Sequence, residues 1–291
     1  MKIATLVLAL GIAAATPQVT AKIKVEGDTQ PCAAAAGGKY VWVSEYASPW
    51  LVRIDPATNR VLGRTQIGFG SCGLGYGAGS LWVEDTSSNT VSRVSATTAK
   101  RVKAIPVGTQ PYDATFAFGS AWVTANGSGE VDRIDPARNR VSKRIELPGA
   151  VGVVAAFGSI WATGSSGVVR IDPTTGRIVA TIPLANAAWT AASDDAVWVT
   201  AGSGVTRIDP ETNRTGARVA LGTIYLGDPA VVGGKLWVPK VRANTVAIVD
   251  PSTNAVAQTV KVGLGPFVVS EVNGEAWIPS WHGRDVWRLK P

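Results

Sequence analysis

Ser120-Ala121-Trp122-Val123-Thr124, then Glu130-Val131-Asp132-Arg133-Ile134, then the turn Asp135-Pro136-Ala137-Arg138-Asn139 and the alternating run Val141 to Leu147, make one unit of a repeat. A mostly apolar, small-residue stretch, Pro111 to Phe118, precedes it. Period-two alternation bounded by Gly, Pro and Asn clusters reads as four short strands. The tryptophan recurs at Trp42, Trp82, Trp122, Trp161, Trp198, Trp237 and Trp277, at spacings of 40, 40, 39, 37, 39 and 40 residues. A period near 40 with several strands per unit predicts an all-β, seven-bladed β-propeller of four-stranded blades, each Trp burying a large area between blades.

The chain ends solve the closure of such a ring. The seventh unit stops at Trp287-Arg288-Leu289-Lys290-Pro291, after its third strand. Ala21-Lys22-Ile23-Lys24-Val25-Glu26-Gly27 resembles the fourth strand of the sixth unit, Gln258 to Gly263. An N-terminal strand is therefore expected to complete the last blade, giving a single domain over residues 22–291. Residues 1–21 read as a secretory signal, with Lys2, an apolar run Ala4 to Ala15, and small-residue cleavage sites at Ala13-Ala14-Ala15 or Val19-Thr20-Ala21. The apolar run is too short to span a bilayer, so no stable membrane insertion is expected. The expected location is periplasmic or secreted, and the expected state a monomer.

The phrase Arg-Ile-Asp-Pro recurs around Asp55, Asp135, Asp172 and Asp209, with Val249-Asp250-Pro251 as a variant. An Asn or Gly (Asn59, Asn139, Gly176, Asn213, Asn254) follows four residues later. These aspartates read as turn residues: Asp bonds its own turn, Pro presets φ, and Asn or Gly accepts the left-handed conformation. From Trp to this position the distance is 13 residues, but 11 in units four and five. The loop between second and third strands is thus shorter there, and the rim lower on that side.

Net charge is +7, yet its placement does not suggest nucleic acid. The excess is spread by the repeat (Arg53, Arg93, Arg133, Arg170, Arg207, Arg288) and by fourth strands (Arg101, Lys103, Lys143, Arg144, Arg214, Arg218). There it blocks edge-to-edge pairing. One His and one Met exclude a multi-His metal site and a two-imidazole dyad.

Loops on one face of a propeller gather around the channel mouth. Those of blades one and two supply Glu45, Tyr46, Trp50, Glu84 and Asp85; those of blades six and seven supply Lys240, Arg242, Trp281, His282 and Arg284. The loops leading into inner strands add Gln110, Tyr112, Asp113, Trp189, Tyr225, Asp228 and Phe267. Aromatic walls with a few convergent charges suit a small polar ligand. Arg and Lys suit a carboxylate or phosphate, and an aromatic face can hold a cation. No loop shows the alternating Asp pattern of a calcium site, so no metal site and no cofactor are expected.

Trp122-Val123-Thr124-Ala125-Asn126, Val131-Asp132-Arg133-Ile134-Asp135-Pro136 and Val262-Gly263 resemble the YVTN-type β-propeller repeats of bacterial extracytoplasmic proteins. The resemblance covers essentially the whole mature chain. It implies a propeller that binds a small molecule, a glycan or another envelope protein. Trp42-Val43-Ser44-Glu45-Tyr46 also resembles a unit of the virginiamycin B (streptogramin B) lyase propellers. That resemblance implies a lactone-opening elimination with His, Glu and a magnesium ion, for which Glu45, Asp85 and His282 are the catalytic candidates. The sole histidine cannot supply that family's paired histidines.

Cys32 and Cys72 each lie ten residues before a repeat Trp, hence at equivalent places on adjacent inner strands. Two cysteines in an exported chain favour a disulfide, if their Cα atoms come within about 4.4–6.8 Å. The alternative is a pair of buried thiols.

Overall fold

The computed structural model describes residues 16–27, 29–222 and 225–291. Among them the strands form seven four-stranded antiparallel sheets, ordered along the chain as Pro31–Gln66, Leu74–Pro106, Pro111–Glu146, Val153–Ile182, Ala187–Ala220, Ala230–Lys261 and Ser270–Lys290. The fold is the expected seven-bladed β-propeller.

The closing strand is Gln18–Lys24, antiparallel to Asp285–Lys290, with Gln18 opposite Lys290 and Lys24 opposite Asp285. Closure occurs as expected, but the strand starts three residues before Ala21 and ends before Val25. Ile23 and Val25 are still buried, packed with Trp277 and Val286 against blade one. Val19-Thr20-Ala21 thus lies inside the closing strand, and the apolar signal stretch lies outside the described residues.

Each repeat tryptophan is buried, and the core is divided into clusters that straddle neighbouring blades: Trp122 and Val131 pack with Val153, Ile160 and Ile171 of the next blade. The two faces of a strand meet different blades: in Glu130–Asp135, Val131 packs with blade four and Ile134, on the opposite face, with blade two, and both are fully buried. The indole N–H donates to the carbonyl five residues earlier, as from Trp42 to Gly37 at 3.0 Å and Trp161 to Ala156 at 3.1 Å. A buried polar hydrogen is thereby satisfied at no cost to packing.

The repeat aspartates close their turns. Asp55, Asp135, Asp172, Asp209 and Asp250 accept the amide two residues on, at 3.0, 2.8, 3.0, 2.8 and 2.9 Å. The Asn four residues later holds φ near +50 to +57° at Asn59, Asn139, Asn213 and Asn254.

The repeat arginines do more than place charge on an edge. Arg93, Arg133, Arg170 and Arg288 stack over the Trp of their own blade at 5.1, 5.3, 5.0 and 5.3 Å. Each also donates across to the turn of the next blade: Arg93 to the Pro136 carbonyl and Asn139, Arg170 to Pro210 and Asn213, Arg133 to Thr174. Arg288 reaches from blade seven to Pro56 and Asn59 of blade one, sealing the ring on this side as well. Arg207 departs from the pattern and pairs with Asp195 at 2.9 Å. The arginine of the motif is thus an inter-blade clamp, a role that charge placement alone did not reveal.

Candidate functional site

On the face opposite these turns, the loops between second and third strands are four or five residues long in blades one, two, three, six and seven. In blades four and five they are two-residue turns, Ser165-Ser166 and Gly202-Ser203. The mouth is therefore walled unevenly, as the 13- and 11-residue spacings predict. A pocket of about 410 Å³ occupies it, lined by Tyr46, Gly70, Cys72, Thr86, Pro111, Tyr112, Trp189, Tyr225, Val241, Phe267, Trp281 and His282. The two short turns contribute nothing to its wall.

Its wall is a crescent of five rings. Tyr46 lies 4.7 Å from Trp281, Trp281 5.6 Å from Phe267, Phe267 5.2 Å from Trp189 in an edge-on contact, and Trp189 5.8 Å from Tyr112. Such pairs rigidify one another. Tyr225 faces the same cavity and carries the Arg242 guanidinium over its ring at 5.1 Å. Burial, then the nearness of Tyr46 and Tyr225, pushes the Tyr112 phenol above its ordinary range, so it remains a neutral donor at physiological pH.

Below the crescent a smaller chamber of about 150 Å³ continues into the channel, sharing Cys72, Tyr112 and Trp189 with the pocket above. Asp113 and Asp228 line it from blades three and six. Both stand nine residues before their repeat Trp, as does Trp189, so one register of the repeat builds the floor. Asp113 accepts the amides of Ala114 and Val153, each at 2.8 Å, the latter from the next blade. Asp228 is anchored through its backbone alone: its N–H donates to the Phe267 carbonyl at 2.8 Å, and its carbonyl accepts from Val269 at 3.0 Å. Gly227 permits that approach, since a Cβ there would stand 1.9 Å from the Phe267 oxygen. No described residue hydrogen-bonds the Asp228 carboxylate. It retains partial accessible surface because it lines the chamber.

Desolvation raises the Asp113 carboxyl to about 6. It raises Asp228 well above the carboxylate range, with the Asp113 charge adding to the effect. Glu84 is a third raised carboxyl, fully buried, its shift caused mainly by burial and only slightly by Asp113. One oxygen accepts the amides of Cys72 and Gly73, and the other has no partner. In blades one, three and four this repeat position holds a hydroxyl that bonds the next inner strand: Ser44 to the Cys72 carbonyl at 3.2 Å, Thr124 to Val151 at 2.6 Å, and Thr163 to Ala188. In blade two Thr86 takes over that bond, to Pro111 at 2.8 Å, which leaves Glu84 to face inward.

The expected residues thus divide. Tyr46, Tyr112, Trp189, Tyr225, Phe267, Trp281 and His282 converge on the pocket, and Asp113 and Asp228 on the chamber beneath. Glu45 and Asp85 do not face the ligand space. Glu45 is fully buried, bonded to Ser48 at 2.5 Å and raised by burial. Asp85 closes its own turn by accepting from Ser87 and Ser88. Trp50, Gln110, Lys240, Arg242 and Arg284 lie outside the lining. The picture of charged loop residues converging on a ligand is therefore corrected: the acids are buried, and the basic residues stand at the rim. Among the described residues no three His, Cys, Asp or Glu side chains are placed to hold a metal ion.

Cys32 and Cys72 are joined as a disulfide, with Cα atoms 5.1 Å apart, at the junction of blades one and two. Cys72 lies in the pocket floor.

No protein-family model and no curated protein matches the sequence. Solved structures do match in fold. Streptogramin B lyase aligns with a TM-score of 0.80 at 14% identity, covering 93% of this chain and 96% of that one. Kuenenia stuttgartiensis hydrazine synthase aligns at 0.77 and 17%, covering 92% and 97%. BamB from Moraxella catarrhalis aligns at 0.68 and 14%, covering 95% and 98%. These neighbours include enzymes and binding modules alike, and at such identities the likeness is one of architecture.

Proposed function

We propose that this chain is an extracytoplasmic binding module whose ligand is a small molecule held in the aromatic pocket at the channel mouth. The observation that carries this reading is the five-ring crescent around a cavity of about 410 Å³. Concave, aromatic-walled cavities of this size with a few convergent polar groups are the usual form of small-molecule sites. A protein partner would instead need a broad surface, so the enclosed pocket favours a small ligand over an envelope protein. The leader-like Lys2 to Ala15, which ends before the closing strand, and the paired cysteines support a location outside the cytoplasm. No cofactor and no nucleic acid enter this reading, which is that of a monomer.

Of the residues that the lactone-opening alternative needs, only His282 reaches the pocket, while Glu45 and Asp85 are committed to Ser48 and to a turn. Binding is accordingly the better reading. A thermal-shift screen of small amphipathic molecules, run on the wild type and on Trp281→Ala, tests it. Compounds are expected to raise the melting temperature by a few degrees through mass action, roughly RT ln(1 + [L]/Kd), and to lose that effect in the variant. A screen without such compounds, or with compounds indifferent to Trp281, would overturn it.

A further inference from the structure

The chamber beneath the crescent narrows the ligand class. Taking the pocket as the binding site, we infer that the ligand is an organic cation. Its ammonium head descends between Asp113 and Asp228, and its apolar body lies along Trp189, Phe267 and Trp281.

Two carboxylates, three phenols, two indoles and the Phe267 ring face the two connected cavities; His282 lines the upper one, and neither Lys nor Arg lines either. The nearest rim guanidinium, Arg242, is stacked over Tyr225. An anion entering the chamber would be desolvated against two acids. A neutral molecule would leave the Asp228 carboxylate, which no described residue bonds, still without a partner, at a desolvation penalty. An ammonium resolves both problems: it donates to Asp228 and Asp113 while the π faces above it attract positive charge.

Protonation of the pair ties the attraction to pH. The groups facing the Asp113–Asp228 pair are Glu84 from blade two and the Tyr112 phenol. The remaining chamber lining, from blades one, four, five and seven, supplies Ala33, Val153, Trp189, Val268 and Ser270, none titratable. Burial raises both carboxyls, Asp113 to about 6, so the negative charge that the pair offers a cation grows above that pH and shrinks below it. Lowering the pH through 6 protonates Asp113 and weakens the attraction. Cation affinity therefore falls toward acid, in the window that Asp113 defines.

Benzylammonium, benzyl alcohol and benzoate, which share one ring and differ in charge, test this by isothermal titration at pH 7.5 and pH 5. Benzylammonium is expected to bind at least roughly tenfold more tightly than the other two. Its affinity should drop about tenfold at pH 5, and roughly tenfold again in Asp228→Asn, the order expected for losing one buried charge partner. Asp228→Asn is a clean variant because that carboxylate holds no backbone group, and an unchanged fold is checked by its melting curve. If benzoate or benzyl alcohol binds as tightly as benzylammonium, and Trp281→Ala abolishes that binding, the pocket stands and cation selection falls. If benzylammonium binds equally to wild type and Asp228→Asn, the cation reading is overturned. If none of the three responds to Trp281→Ala, the pocket falls with it.

Discussion

Two rings run through this molecule at the same periodicity, and they behave differently. In the outer ring the Trp recurs in every blade and the Arg and the Asp-Pro turn in most of them, and Arg93, Arg170 and Arg288 make the same pair of bonds to their neighbours. In the inner ring one register, nine residues before each Trp, holds Ala33, Gly73, Asp113, Gly152, Trp189, Asp228 and Val268. The first ring needs identical answers, because every blade must meet the next at the same angle. The second is released from that demand, and chemistry collects where the repeat is broken. Within a repeat protein, then, the informative positions for function are those that the geometry makes equivalent and the sequence makes different.

The largest effect that could break this comparison comes from two tryptophans. Trp122→Ala, in the outer ring, is expected to cost about 3–5 kcal/mol, as large aromatic truncations in cores do. Trp189→Ala, in the crescent, should cost markedly less while removing ligand binding. Chemical denaturation of both variants checks this, and equal losses would erase the distinction between scaffold and site.

Next in size is the bridge between blades one and two. Replacing Cys32 and Cys72 together by Ser should cost on the order of 3–4 kcal/mol if loop entropy governs, since the bridge closes some 40 residues. Cys72 also floors the pocket, so ligand affinity should weaken in the same variant. Two reactive thiols in the unfolded, unreduced wild-type protein would show that the bridge is missing.

The smallest effect concerns pH. Asp113, Asp228 and Glu84 have folded values above the unfolded carboxylate range of about 3.9–4.3. Their ionisation therefore penalises the folded state, and the penalty is lifted as pH falls through the folded value. Between pH 7 and 5, Asp113 alone should add about 1 kcal/mol of stability. The outer-ring carboxyls Asp135, Asp172 and Asp209 are shifted the other way by their turn bonds, so their stabilisation is lost only at still lower pH. Melting curves across pH should rise from 7 to 5 in the wild type and rise less in Asp228→Asn. A wild-type profile that falls over that window would contradict the buried carboxyls.

The outer ring is almost fully legible in the sequence, because spacing survives wherever geometry repeats. Blade number, the turn role of Asp135 and the low rim at blades four and five all follow from counting. The arginine clamp is not, since an Arg on an alternating strand looks the same whether it meets water or the next blade. At the mouth, the aromatics can be gathered from loop positions. The fate of the acids cannot: Glu45, Glu84 and Asp85 occupy adjacent loops in sequence, but a strand end can turn a carboxylate inward toward backbone amides, as it does at Glu84. The shared register of Asp113 and Asp228 is present as a number, 122 − 113 and 237 − 228, and alignment on the tryptophans pairs them.

The closing strand has a consequence for the order in which this molecule can be built. Gln18–Lys24 pairs with Asp285–Lys290, and Thr20 bonds the Arg288 carbonyl across 268 residues of chain. As the chain emerges, that strand must wait with both edges open until its partner arrives, the kind of non-local pairing that slows folding and invites association. Lys22 and Lys24 on it keep the waiting edge charged, and Lys22 afterwards settles 3.9 Å over the Trp287 ring. The Cys32–Cys72 bridge asks only for the first two blades and can be in place long before. Assembly should therefore run from a locked first pair of blades to a ring that seals last, leaving the pocket, whose walls come from blades at both ends of the chain, as the final thing to form.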